Sequence, residues 1–104
     1  MNRILLSILL QSQLQRAAVS VASNIAEGLS RKTDKEQLRF VEIAYSSLTE
    51  IYAQISISND LEYINDVQFQ RINNEIRKIL NQLNALTRTI KNRITEKPIS
   101  RFTD

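Results

Sequence analysis

FQRINNEIRKILNQLNALTRTI, residues 69–90, decides the fold. Phe69, Ile72, Ile76, Ile79, Leu83, Leu86 and Ile90 step by 3, 4, 3, 4, 3 and 4, with Asn, Gln, Arg, Lys and Glu filling most positions between. At 3.6 residues per turn, every third or fourth side chain returns to the same side, so this stripe is one apolar face along about six turns of α-helix. Asn65 and Gln68 ahead of it have capping-box spacing, and Pro98 behind it lacks the N–H that a continuing helix uses. The spacing predicts a helix over about 67–95, roughly 43 Å long.

Upstream, Thr33-Asp34-Lys35-Glu36 is an S/T-x-x-E box, in which the threonine hydroxyl accepts from the N3 amide. Leu38, Val41, Ala44, Tyr45, Leu48, Ile51 and Ile55 then line one face, and Asn59-Asp60 supplies a stop, giving a second helix over about 34–58. Further upstream, Leu14, Ala18, Val21 and Ile25 repeat every 3 or 4 residues, and Gly28 stands where a left-handed C-terminal cap would sit. That reading predicts a first helix over about 3–27, its start running through the apolar residues Ile4 to Leu10. The fold expected is all-α: an antiparallel up-down bundle of three long helices, with residues 1–97 as one domain and 98–104 as a tail.

Composition narrows the chemistry. With 104 residues the chain supports one core. It has no Cys and no His, which removes thiolate nucleophiles, imidazole bases, disulfides and the usual zinc, copper and haem ligand sets. One Gly cannot write a phosphate-cradling G-x-x-x-x-G-K-[ST] or G-x-G-x-x-G loop. Ile and Leu supply 26 residues, enough for a modest core and too many for disorder. No catalytic residue, metal or cofactor is expected.

Charge is uneven. From Arg71 to Arg101 there are eight basic and two acidic residues, so this segment is +6 and the rest of the chain −3. On a helix, Arg77, Arg88 and Lys91 fall on one flank of the apolar stripe, and Arg71, Lys78 and Arg93 on the other. One reading is a surface for RNA or DNA phosphates. The other is a solvated face whose late cations suit the helix dipole, since no interleaved aromatics or base-reading motif accompany them.

Ser20, Asn24 and Glu27, at spacings of 4 and 3, make a polar stripe, and Ser47 and Glu50 a similar pair on the next helix. As a carboxylate metal site, Glu27 and Glu50 lack the histidines of di-metal bundles. As polar contacts between helices or subunits, all five would fix register in an apolar interface. Phe40, Tyr45 and Tyr52 have the spacing of packing residues, with base stacking as the other use of such rings. Arg31, Lys32 and Lys35 around the first loop are either phosphate contacts or plain loop charges.

The N-terminal Arg3 followed by ILLSILL imitates a signal peptide, but Gln11, Gln13, Gln15 and Arg16 interrupt it before a cleavage site. The run is also far short of the ~20 residues of a membrane-spanning helix. A cytoplasmic protein with no membrane contact is expected.

One resemblance is specific. Gln13-Leu14-Gln15-Arg16-Ala17-Ala18-Val19-Ser20 followed by Asn24-Ile25-Ala26-Glu27-Gly28, then Lys35-Glu36, Arg39-Phe40-Val41, Ile43-Ala44, Ser47-Leu48 and Glu50, then Leu61 and Tyr63-Ile64, resembles the four-helix bundle proteins encoded in intervening sequences of bacterial large-subunit ribosomal RNA genes. The resemblance implies an antiparallel four-helix bundle that assembles into homo-oligomeric rings, often of five subunits. One branch of that family, the accessory proteins of diversity-generating retroelements, binds reverse transcriptase and nucleic acid. For most other members no activity is implied. Two departures stand out: Ser46 occupies a position where the family commonly has glycine, and only 12 residues precede Gln13, with no proline and no room for the family's first helix. The chain reads as one helix short, through a truncated reading frame or with a partner helix completing the bundle. The function expected is a non-enzymatic scaffold or accessory module; the alternative is a protein-interaction module with no nucleic-acid role.

Overall fold

The computed structural model describes residues 3–103, and the side chains of residues 4, 5 and 8–95. Three helices follow one another: α1 (Arg3–Ser30), α2 (Asp34–Asp60) and α3 (Asp66–Thr103), with no strand among the described residues.

Local chemistry sets their ends. Thr33 is extended and its hydroxyl accepts from Glu36 N at 3.2 Å, as the box at the start of α2 requires. At α3 the box is reciprocal: Gln68 N donates to Asn65 Oδ1 at 2.8 Å and Asn65 N to Gln68 Oε1 at 3.0 Å. The left-handed residue that ends α2 is Glu62, with φ 62°, and not Asn59 or Asp60. Tyr63 N reaches Ser58 O at 2.9 Å and Glu62 N reaches Asn59 O at 3.0 Å, the paired bonds of a Schellman motif.

Two helices outrun their expected ends. α3 continues through Pro98 to Thr103, where the sequence suggested a stop near 95. A proline removes one ladder bond, and a helix already some thirty residues long propagates past that gap. α1 continues past Gly28, which is helical and not left-handed. Gly28 is buried, and a Cβ on it would lie 3.1 Å from Phe40 Cβ and 3.6 Å from Gln37 O. Glycine suits this position because α2 passes so close that even a methyl would press on Phe40.

The core lies between α2 and α3. Val41, Ala44, Leu48 and Ile55 from α2 meet Ile76, Leu83 and Ile90 from α3, all at most 8% exposed. From α1, Leu14, Val21 and Ile25 pack against this cluster only partly buried. α1 and α3 each pack antiparallel along α2, and no Cα of α1 comes within 8 Å of α3. α2 is therefore the central helix, with α1 and α3 packed on it and apart from one another. The chain measures 65 × 21 × 16 Å, and its radius of gyration of 17.8 Å exceeds the ~13 Å of a compact chain this long.

Candidate nucleic-acid interface

α3 places the six tentative phosphate-binding residues, and the structure divides them. Lys78 is 3.5 Å from Glu75 Oε1 one turn away. Arg93 Nε donates to Asp34 Oδ1 at 3.2 Å and its Nη2 to Gln37 Oε1 at 3.2 Å, tying the late part of α3 to the first turn of α2. Arg71, Arg77, Arg88 and Lys91 are exposed and make no ion pair with a described residue. Three of these four, Arg77, Arg88 and Lys91, share the flank of α3 that continues round from Asn73, Leu80 and Thr87. Arg77 and Lys91 are fourteen positions apart, or about 21 Å along the axis. Lys97 and Arg101 lie outside the described side chains.

The polar residues of α1 and α2 separate as well. The hydroxyls of Ser20 and Ser47 are 3.1 Å apart and join the two helices. Asn24 Nδ2 donates back to Ser20 O at 2.7 Å and Ser20 Oγ at 3.3 Å, so it supports that contact from within α1. Glu27 pairs with Arg31, the first residue after α1, which also stacks 4.9 Å from the centre of the Phe40 ring. Glu50 is exposed and lines a shallow polar cleft with Gln13, Arg16, Ser20, Ser47 and Gln54. Glu27 is not on that cleft, and among the described residues no three carboxylates gather as metal ligands do.

The aromatic rings are packing groups in this geometry. Tyr45 and Tyr52 lie partly buried against the core, and Phe40 sits between Gly28 and Arg31. Of the loop cations, Arg31 is engaged by Glu27 and Phe40 while Lys32 and Lys35 are exposed.

The turn from α1 into α2, the serine bridge and the glycine crossing are all carried by the segment from Gln13 to Ile64. A model of the 23S rRNA-intervening sequence protein family matches residues 7–85. The chain belongs to that family. No protein with a curated description is detectably similar to it. The family match covers α1 from residue 7, all of α2 and α3 as far as residue 85. Arg77 falls inside the matched span of this 23S rRNA-intervening sequence protein, and Arg88, Lys91 and Arg93 fall beyond it. No described helix is long and apolar enough to cross a membrane.

Two features were out of reach of spacing alone. Arg93 looked like one cation among six, and its partners Asp34 and Gln37 are more than fifty residues away in sequence. The Gly28 crossing needed the position of Phe40, although a glycine inside an otherwise unbroken helical pattern is itself a sign of close approach.

Proposed function

We propose that this family member is a non-enzymatic, cytoplasmic helical module that contacts RNA or DNA through Arg77, Arg88 and Lys91, as an accessory to an enzyme working on nucleic acid. The observation that supports it is the division of charge on α3. Two of the three cations on one flank are held by Glu75 and by Asp34, whereas the Arg77, Arg88 and Lys91 row is exposed and has no acidic partner among the described residues. A row of unneutralised cations about 21 Å long draws a phosphate backbone by counterion release without reading bases. Filter binding of single-stranded RNA and DNA at two salt concentrations tests it: affinity falls as salt rises, and charge reversal of the three residues removes binding while helicity stays. Absence of binding at low salt rejects it.

A protein-interaction role is the second reading. It rests on the large exposed apolar side chains of α1, among them Ile8, Val19 and Leu29.

A further inference from the structure

The polar cleft between α1 and α2 is built in levels. The two helices run antiparallel, and the Ser20–Ser47 hydrogen bond fixes their register. One turn from that pair, Arg16 on α1 stands level with Glu50 on α2; two turns from it, Gln13 stands level with Gln54, each seven residues from its serine. All of them line one cleft of about 330 Å³, near the lower bound of roughly 300 Å³ for small-ligand sites. The serine level is closed by its bond. The next two are open: neither Arg16 nor Glu50 forms an ion pair with a described residue, and the enclosed Oε1 of Gln54 accepts no hydrogen bond.

The distribution of charge and hydrogen-bonding groups over the two walls narrows what fits between them. A simple anion meets Glu50 and a simple cation meets Arg16, so neither is complementary to the cleft as a whole. One carboxylate is too few for a hard metal ion, and no aromatic ring lines the cleft to stack a nucleobase. A small molecule that carries both charges suits both walls. The donors are on α1, where the Arg16 guanidinium forks a carboxylate and the Gln13 carboxamide adds an N–H. The acceptors are on α2. Glu50 and Gln54 are four residues apart on one face, so an ammonium group reaches the carboxylate and the free Oε1 together. Direct closure of Arg16 onto Glu50 neutralises the two charges but leaves that oxygen without a donor, which is costly for an enclosed polar atom. Ala17, small and half-buried between the walls, leaves room for the ligand.

We propose that this cleft binds a free amino acid with a small side chain, its carboxylate at Arg16 and its ammonium between Glu50 and Gln54. The end of a peptide carries only one of the two charges and fits less well. The site is independent of the nucleic-acid reading: the cations concerned there lie on α3, and either reading stands if the other fails.

Titration of the full chain with L-alanine, followed by amide NMR, tests it. Backbone amides from Gln13 to Ser20 and from Ser47 to Gln54 shift saturably, with a Kd on the order of 1 mM for a ligand of so few atoms. N-acetyl-L-alanine keeps only the carboxylate and L-alanine amide only the ammonium; each binds at least tenfold more weakly. Arg16→Gln and Glu50→Gln each weaken L-alanine by a similar factor while helical circular dichroism is unchanged, since both side chains are exposed. Gln54→Leu weakens L-alanine and L-alanine amide but not N-acetyl-L-alanine, a split that a merely structural glutamine does not produce. Three results would overturn the proposal: no saturable shift at ten times that concentration, equal binding of the singly charged analogues, or unchanged binding in both charge variants.

Discussion

A Cβ placed on Gly28 would lie 3.1 Å from the Cβ of Phe40, so this glycine sets how closely α1 and α2 cross. The neighbour is the root of a side chain on a rigid helix and has little room to yield. Alanine at Gly28 gains about 1 kcal/mol of helix propensity and loses a similar amount by spreading the crossing, so its net effect is near zero. Asparagine and leucine cannot fit, and each costs about 2–3 kcal/mol as overpacking. Urea unfolding of the three variants distinguishes this role from a left-handed cap. In a cap asparagine is tolerated better than alanine; at this crossing the order is reversed.

Arg93 joins α3 to Asp34 and Gln37 in the first turn of α2. Its side chain is 44% exposed and that of Asp34 is 13% exposed, so solvent screens part of the attraction. Arg93→Ala is expected to cost about 0.5–1 kcal/mol, the upper range for a partly screened pair. A double-mutant cycle with Asp34→Asn measures the coupling. The local effect is larger than the global one: amides around Ile90 and Ile94 exchange faster while those near Ile76 do not. Uniform acceleration along α3 would show that the pair has no local role.

The basic row has a quantitative signature. At most three phosphates meet Arg77, Arg88 and Lys91, so the slope of log affinity against log salt attributable to them is about −2 for a single strand and about −3 for a duplex. Replacing one of the three by glutamine reduces the slope by about 0.7–0.9. Lys78→Gln changes it less, because Lys78 already has Glu75 beside it. Equal effects at Lys78 and Arg88 would mean that the cations act through net charge and not as a row.

The helices were legible because their evidence is local. The stripe from Phe69 to Ile90 and the boxes at Thr33 and Asn65 each use contacts within four residues, and all reappear in the structure. What was not legible depends on partners far apart in sequence. Pro98 and Gly28 both read as punctuation by local rules, yet α3 runs through one and α1 through the other. The stripe also proved wider than it reads. Asn73, Leu80, Thr87 and Ile94 form a second row, partly or fully buried, while Ile79 in the first row is 36% exposed. Periodicity finds an apolar face, but only the position of α2 decides which edge of it is covered. The candidate site was legible as a charge excess and not as a row, because the residues that neutralise Lys78 and Arg93 had to be located first.

Asn73 is the least expected member of that second row. It is 9% exposed, shares a heptad position with Leu80 and Ile94, and its Oδ1 has no hydrogen-bond partner among the described residues. A buried carbonyl oxygen without a partner costs about 1–3 kcal/mol of desolvation. Asn73→Leu removes that cost and adds apolar contact between α2 and α3, so it is expected to raise stability by about 1–2 kcal/mol, seen as a higher urea midpoint at unchanged slope. The gain carries a loss of specificity. Leucine at 73 makes the row uniform with Leu80 and lets α3 shift by one heptad against α2, a slip that would bury the asparagine of the natural chain among purely apolar residues. Hydrogen exchange then shows the more stable variant with less uniform protection along α3. A variant that is stabilised and equally uniform would assign Asn73 no part in fixing the register, and a destabilised one would show that its carboxamide has a partner after all.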